Sequence, residues 1–234
     1  SLKMVSQESQ LDEQKVFDYC VANVTEKKDV ATDANVITSQ FKKPLLEFSG
    51  SCAGCAETSY ARLITQLFGD RMYISNATGC SSIWGGPAAT SPYTTNAEGH
   101  GPAWANSLFE DNAEHGYGMY LGQTAIRERL IDDAKEIANS EKASEAVKSA
   151  ANAYLDTLND AKANADASKA LVEAIKASNA ECDKCKDIVD NSEYLSKKSV
   201  WIFGGDGWAY DIGFGGVDHV LASGRNVNIM VFDT

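Results

Sequence analysis

Near its C-terminal end the sequence combines a strand, a glycine-rich turn, a helical segment and a second strand, and this succession restricts the fold more than any other feature. The apolar run at residues 200–203 is typical of a strand buried on both faces. Residues 204–207 form the turn, residues 209–223 predict a helix, and residues 227–232 predict the second strand. Because strand, helix and strand in this order form a parallel crossover unit, we expect an α/β protein with a parallel sheet.

Composition divides the rest of the chain into an arm, a domain and an insertion. Residues 1–44 are polar and predict a lead-in arm with one short helix at about 13–24. Residues 45–122 and 197–234 together predict the α/β domain. Residues 123–196 are rich in Ala, Lys, Glu, Asp and Asn without Gly or Pro, and they predict a helical insertion of two to four amphipathic helices.

The first part of the α/β domain contains two further predicted elements. Apolar side chains recur at helical spacing in residues 58–68, and residues 71–75 are typical of a buried strand. Between residues 45 and 120, Gly, Ser, Thr, Asn and aromatic residues are dense, which is typical of loops that bind a ligand.

The net charge of −12 over 234 residues excludes the usual nucleic-acid-binding proteins, because these need a basic surface. No apolar run reaches the length that spans a bilayer, and no apolar signal-peptide core follows the first residues. These observations predict a protein of the cytoplasm that has neither a membrane nor a nucleic acid as its partner.

The turn after the first strand of the crossover unit contains a candidate metal ligand. In open α/β sheets, ligands bind outside the carboxyl ends of the strands. Gly205 and Gly207 let a phosphate approach the backbone, and Asp206 between them offers oxygen atoms to Mg²⁺. A lone Gly-Asp-Gly is also compatible with an ordinary turn.

Six cysteines form a second set of candidate ligands: Cys20, Cys52, Cys55, Cys80, Cys182 and Cys185. Clustered cysteines in a reducing compartment more often bind metal or carry out redox chemistry than form structural disulfides. Cys52 and Cys55 have the spacing of two ligands, and Cys80 follows in the same region. Cys182 and Cys185 would complete a Cys₄ zinc site, or they are incidental thiols on a surface helix.

Several longer blocks make a family resemblance specific. They are Gly50-Ser51-Cys52-Ala53-Gly54-Cys55-Ala56-Glu57-Thr58, Asn76-Ala77-Thr78-Gly79-Cys80-Ser81-Ser82-Ile83-Trp84-Gly85-Gly86, Glu98-Gly99-His100-Gly101-Pro102-Ala103-Trp104 and Gly205-Asp206-Gly207-Trp208-Ala209-Tyr210-Asp211. In this order they resemble the C-terminal thiamine-diphosphate domain of single-chain pyruvate:ferredoxin (flavodoxin) oxidoreductases, over residues 45–125 and 199–234. The resemblance implies the parallel-sheet thiamine-diphosphate-binding fold.

The resemblance also implies roles for individual residues. Cys52, Cys55 and Cys80 would be three ligands of a [4Fe–4S] cluster, whose fourth cysteine lies outside this chain. Asp206 and Thr234 would bind Mg²⁺. The residues beside thiamine diphosphate would be Glu57, which is also the catalytic candidate, and Thr78, Gly79, Cys80, Ser81, Ser82, Gly205, Asp206, Gly207, Trp208 and Thr234.

The activity implied by the resemblance is oxidative decarboxylation of pyruvate to acetyl-CoA and CO₂, with electrons leaving through the cluster to ferredoxin or flavodoxin. Coenzyme A, further domains of the same polypeptide and a second copy in a homodimer are the other implied partners. Because the chain stops at Thr234, next to the cofactor, we expect it to be a truncated part of a longer polypeptide and inactive in isolation. The alternatives are an enzyme of the same class acting on another 2-oxoacid, and a zinc-stabilised α/β module without activity.

Overall fold

The computed structural model describes residues 3–27, 29–87, 89–178 and 182–233. The chain separates into two compact units, residues 1–44 and residues 45–234. In the first unit, a 3₁₀ turn at Gln7–Gln10 leads into helix α1 (Leu11–Asn23), whose residues are all exposed. A second short helix, α2 (Val36–Ser39), interrupts the predicted extended arm, because the side chain of Asn35 accepts a hydrogen bond from the N–H of Thr38 and caps it.

The second unit contains one four-stranded sheet in which every pairing is parallel. Its strands are β1 (Met72–Ala77), β2 (Ala103–Ser107), β3 (Ser199–Gly205) and β4 (Asn228–Phe232). The order across the sheet is β2-β1-β3-β4. The predicted α/β fold with a parallel sheet is therefore confirmed.

Helices and helical turns connect the strands. They are α3 (Glu57–Phe68), a 3₁₀ turn at Gly69–Arg71, α4 (Cys80–Gly85), α5 (Asn112–Ala138), α6 (Glu145–Asp156), α7 (Ala161–Ser178), α8 (Asp183–Asp190), a 3₁₀ turn at Ser192–Tyr194, a π-helix at Gly207–Ile212 and α9 (Phe214–Ala222). The helix predicted for residues 209–223 is thus divided into a π-helical turn and α9. Among the described residues, no helix is long and apolar enough to cross a bilayer.

Both faces of the sheet are covered, because successive side chains of a strand point to opposite faces. On one face, Ile74 and Phe203 pack in a buried cluster with Ala61 of α3 and Trp84 of α4. On the other face, Ile202 packs with residues of α5, the π-helix and α9. In this three-layer arrangement the loops meet at the two edges of the sheet where the strands end.

A separate apolar core holds α5 to α8 together. Leu130, Tyr154, Leu171 and Ile188, one from each of these four helices, are fully buried in it. The helices predicted for residues 123–196 are confirmed, but α5 already begins at Asn112, so the predicted domain boundary falls inside a helix.

Candidate functional site

The strand order changes direction between two neighbouring strands of the sheet. The connection after β1 leads to β2 on one side, whereas β3 pairs with β1 on the other side. β1 and β3 lie in register, with Asn76 opposite Phe203, so both strands end at the same edge. In open α/β sheets, such a change of direction is where ligands bind. The two segments that follow these strands, residues 78–82 and 205–207, are therefore neighbours in the predicted ligand site.

The turn after β3 is fixed by a buried tryptophan. Trp208, in the π-helix, has no exposed surface, and its indole N–H has no hydrogen-bond partner among the described residues. A Cβ atom at Gly204 or at Gly213 would lie 2.4 Å from the indole, so only glycine fits at both positions. Trp208 thus anchors the segment on both sides of Asp206. A π-helical turn of this kind is frequent at functional sites.

The glycines on either side of Asp206 are loosely surrounded, because a Cβ atom at either position would make only ordinary van der Waals contact. A Cβ at Gly205 would meet only a carbonyl oxygen at 3.7 Å, and one at Gly207 only the ring of Phe109 at 3.5 Å. Asp206 is half-buried and forms no salt bridge within the described parts of the chain. The backbone here can therefore approach a diphosphate, and one carboxylate is available to a cation. The second predicted magnesium ligand, Thr234, lies outside the described residues.

The loop after β1 is organised by its own hydroxyl groups. Thr78 donates a hydrogen bond of 2.8 Å to the carbonyl of Ser107 at the end of β2. The hydroxyl of Ser82 bonds to both the N–H and the carbonyl of Gly79, at 2.9 Å each. Ser81 accepts a hydrogen bond of 2.8 Å from the amide of Asn76. The predicted site residues of this loop therefore shape its backbone, while Cys80 at the start of α4 is exposed.

Glu57 is a buried carboxylate at the first turn of α3. Its Oε2 accepts a hydrogen bond of 2.8 Å from the indole N–H of Trp84 in α4. Only 6% of Glu57 is exposed. The position at a helix N-terminus favours a negative charge. The bond connects α3, which follows Cys55, with α4, which begins at Cys80.

The predicted cluster ligands are not gathered into one site. Cys52 and Cys80 are exposed and Cys55 is half-buried. The N–H of Cys55 donates to the carbonyl of Cys52 at 3.1 Å in a tight turn before α3. Across residues 3–27, 29–87, 89–178 and 182–233, no three His, Cys, Asp or Glu side chains are grouped as ligands of a metal ion. The role of these three cysteines as [4Fe–4S] ligands therefore stays a prediction.

The structure contradicts both predictions for Cys182 and Cys185. The two form a disulfide with their Cα atoms 5.1 Å apart. Neither is an incidental free thiol, and a disulfide sulfur cannot ligate zinc as a thiolate. Both expectations are wrong. Cys182 is the residue before α8 and Cys185 lies in the first turn of this helix, so their side chains meet.

A buried polar network near the ends of β1 and β2 was not predicted. Asn112, at the start of α5, is fully buried and donates 2.8 Å to the carbonyl of Phe203. Its Oδ1 accepts from the hydroxyls of Ser75 at 2.7 Å and Ser107 at 2.8 Å. His115 lies 2.7 Å from Ser75 through Nδ1. Because no helix start was predicted at residue 112, no sequence signal marked Asn112 as a buried residue.

One tyrosine connects the π-helix with the end of β4. The hydroxyl of Tyr210 donates to the carboxylate of Asp233 at 3.2 Å. The negative charge of Asp233 is the main cause that raises the pKa of Tyr210 above its ordinary value. The residue that precedes Thr234 is thus linked to the turn that contains Asp206.

Comparison with known proteins relates the chain to large oxidoreductases. No family model matches the chain. It is 53% identical over 234 residues to the pyruvate-flavodoxin oxidoreductase of Klebsiella pneumoniae, which corresponds to 100% of this chain and 20% of that protein. It is 57% identical over 208 residues to the pyruvate:ferredoxin oxidoreductase of Moorella thermoacetica, covering 86% of this chain and 18% of that protein.

A third relative bears a different electron acceptor in its name. The chain is 48% identical over 196 residues to a mitochondrial pyruvate dehydrogenase [NADP(+)] of Euglena gracilis, covering 84% of this chain and 11% of that protein. The chain thus spans about a fifth or less of the length of these curated relatives.

Proposed function

Because this chain is homologous to one segment of the pyruvate:flavodoxin and pyruvate:ferredoxin oxidoreductases, we propose that it forms the thiamine-diphosphate-binding part of such an enzyme. The enzyme would convert pyruvate and coenzyme A into acetyl-CoA and carbon dioxide and pass electrons to ferredoxin or flavodoxin. The observation that carries the proposal is the open turn around Asp206, which lies at the change of strand direction where α/β sheets bind ligands.

The proposed diphosphate site consists of the turn after β3. Gly205 and Gly207 leave room for phosphate oxygens beside the backbone, as their open surroundings support. Mg²⁺ typically takes one or two carboxylates and shares substrate phosphates, so Asp206 with Thr234 would suffice on the protein side. When bound, the cofactor would supply the stabilisation of negative charge that decarboxylation leaves on the substrate carbon.

Residues of the first half of the domain would complete the walls of the site. We assign Thr78, Gly79, Cys80, Ser81 and Ser82 to the loop beside the cofactor, since this loop follows β1 at the same edge as the turn after β3. The hydrogen bonds within the loop would hold its backbone in one conformation and so fix the cavity shape.

Glu57 is the proposed catalytic residue of this chain. Its carboxylate is held in place by Trp84 and retains a second oxygen for a bond to cofactor or substrate. A buried, positioned carboxyl group can hold or move a proton, which supports this role. Trp208 would contribute by fixing the turn around Asp206, because its side chain is fully buried.

Cys52, Cys55 and Cys80 remain the proposed ligands of a [4Fe–4S] cluster, which would carry single electrons away from the site. The glycine-rich turn before α3 and the exposed start of α4 leave all three thiols accessible in part, but their side chains are not grouped. Assembly of the cluster would have to bring the three sulfurs together.

The electron acceptor is not determined by this segment. Relatives named for flavodoxin, ferredoxin and NADP(+) share between 48% and 57% identity with it. We propose ferredoxin or flavodoxin as the acceptor, a cytoplasmic location, a homodimer and further domains of the same polypeptide as the surroundings of this chain. The acceptor, the homodimer and the further domains follow from the resemblance to the family, and the location follows from the composition of the sequence.

The test uses a polypeptide that contains this segment at the full length of its relatives. We expect bound thiamine diphosphate, iron and acid-labile sulfide, and reduction of a viologen dye that requires both pyruvate and coenzyme A. Faster turnover with 2-oxoglutarate would favour the alternative 2-oxoacid. Stoichiometric zinc without iron would contradict the cluster, and absence of thiamine diphosphate from an active preparation would contradict the whole proposal.

A further inference from the structure

The disulfide between Cys182 and Cys185 is the chemical feature that the proposed function does not use. It closes a Cys-X-X-Cys turn at the start of α8, with Cys182 as the residue before the helix and Cys185 within its first turn. Cys185 belongs to the apolar core of α5 to α8, not to the clusters that cover the sheet. The disulfide therefore belongs to the helical insertion.

The two sulfurs are not equivalent. Cys185 is 4% exposed and packs in the same core as Leu130, Ile188 and Leu195. Cys182 is exposed. An external thiolate can therefore reach only the sulfur of Cys182 without opening the helical core.

The backbone favours a thiolate at Cys182 once the disulfide is opened. Its Sγ already accepts the N–H of Cys185 at 3.0 Å. A thiolate at the N-terminus of a helix, in a Cys-X-X-Cys turn, is stabilised by the backbone N–H groups and the helix dipole. Cys182 would thus be the nucleophile and leaving group in exchange, and Cys185 the resolving thiol.

Helix α8 is held in place by contacts that do not need the disulfide. Arg129 of α5 donates to both carboxylate oxygens of Asp187, at 2.8 and 3.1 Å. Lys184 pairs with Asp133 at 3.5 Å and with Glu136, both in α5. Ile188 is fully buried. Opening of the disulfide therefore leaves the helix packed, which a reversible couple requires.

We propose that Cys182 and Cys185 are a reversible dithiol–disulfide couple whose exposed sulfur, Sγ of Cys182, exchanges with an external dithiol. In the first step a thiolate of the dithiol attacks this sulfur, the bond between the two protein sulfurs breaks, and Cys185 leaves and takes up a proton. In the second step the other thiol of the dithiol attacks the dithiol sulfur that is bonded to Cys182, and Cys182 is released as a thiolate. Two electrons move to the protein, Cys185 holds one proton, Cys182 stays a thiolate until it takes up a second proton from water, and the dithiol becomes a cyclic disulfide.

The first experiment titrates the unmodified full-length protein in mixtures of reduced and oxidised dithiothreitol. The thiols are trapped with acid and N-ethylmaleimide, and peptide mapping separates this pair from all other cysteines of the protein. We expect both thiols to appear together, to disappear on reoxidation, and to leave the far-ultraviolet circular dichroism unchanged. Reduction that occurs only in urea, or a pair that stays fully alkylated in every mixture, would overturn the proposal.

Two matched variants test the inequivalence of the sulfurs. With glutathione disulfide as probe, folded Cys185→Ser should form a mixed disulfide at Cys182. Folded Cys182→Ser should react at Cys185 more than about tenfold more slowly, and at equal rate only in urea, because a buried thiol reacts through local opening. Equal rates in the folded variants would contradict the assignment, and the titration of the unmodified protein remains decisive if one variant fails to fold.

Discussion

The indole N–H of Trp84 donates a hydrogen bond of 2.8 Å to Oε2 of Glu57, and both side chains are buried. This bond joins the first residue of α3, which follows Cys52 and Cys55, to a residue near the end of α4, which begins at Cys80. Trp84 also contacts the rings of Tyr93 and Phe232. Glu57 is therefore positioned by the apolar core and not by another charged group.

Removal of one partner of this bond should destabilise the domain. In Glu57→Ala the buried N–H of Trp84 loses its partner, and the free energy of unfolding should fall by about 1–3 kcal/mol. Urea denaturation measures this change. In the double-mutant cycle with Trp84→Phe the two changes should be non-additive. Additive effects would show that the bond does not couple the two helices.

Substitutions of the glycines around Asp206 should affect stability and cofactor binding at different positions. Gly204→Ala places a methyl group 2.4 Å from Trp208 and should cost about 1–3 kcal/mol of stability by overpacking. Gly205→Ala meets only an atom at 3.7 Å and should leave the melting temperature unchanged. In the full-length protein, it should weaken binding of thiamine diphosphate, measured by calorimetry. The reverse pattern would refute the assignment of Gly205.

Two tyrosines whose hydroxyl groups are buried should respond oppositely to loss of these groups. The hydroxyl of Tyr93 is buried and has no partner among the described residues, so Tyr93→Phe should stabilise the fold by about 1 kcal/mol. The hydroxyl of Tyr154 donates to the carbonyl of Leu195 at 3.0 Å, so Tyr154→Phe should cost about 0.5–1.5 kcal/mol. Thermal melting at pH 7 distinguishes the two outcomes.

The same tyrosine predicts a pH dependence. Burial raises the pKa of Tyr93 above its ordinary value of 10.0, so above this pH the unfolded chain loses the proton first. The contribution of neutral Tyr93 to the free energy of unfolding should therefore be fully present below pH 10 and should be lost as the pH rises further. The advantage of Tyr93→Phe should grow between pH 10 and 11. A constant advantage across this range would contradict the raised pKa.

Among the charged residues of the helical insertion, Arg127 should contribute most to the free energy of unfolding. Its guanidinium donates to the carbonyls of Leu195 at 3.0 Å and Leu158 at 3.1 Å and to Oδ1 of Asn164 at 3.0 Å. Arg127→Ala should cost about 1.5–3 kcal/mol, because it removes bonds to a charged donor. Arg129→Ala, which breaks a surface pair, should cost about 0–1 kcal/mol. Chemical denaturation of the two variants provides the comparison.

Much of the fold could be predicted because hydrophobic period and glycine position are local signals. The apolar runs that became β3 and β4, and the helical spacing that became α3, are visible in the sequence. β2 was not predicted, because it is an edge strand whose burial alternates only weakly. The start of α5 was missed because its Gly116 is a packing residue: a Cβ there would lie 2.5 Å from Ile202.

The site could be predicted in position but not in detail. Parallel strands end at one edge, so the turn around Asp206 and the loop that begins at Thr78 had to be neighbours once the strand order was known. The buried bond between Glu57 and Trp84 and the disulfide of Cys182 depend on tertiary packing and helix register. Neither is encoded in residue spacing alone.

The most direct test of the account is binding of thiamine diphosphate with Mg²⁺ to the full-length protein and to its Asp206→Asn variant, by calorimetric titration. Because loss of an outer-shell group already costs roughly 10–100-fold in metal affinity, we expect loss of this ligand to weaken binding at least that much. Asp211→Asn, which changes an exposed carboxylate in the π-helix that follows Asp206, should bind as the unmodified protein does. Unchanged affinity in Asp206→Asn would contradict the central claim that this strand end holds the magnesium diphosphate.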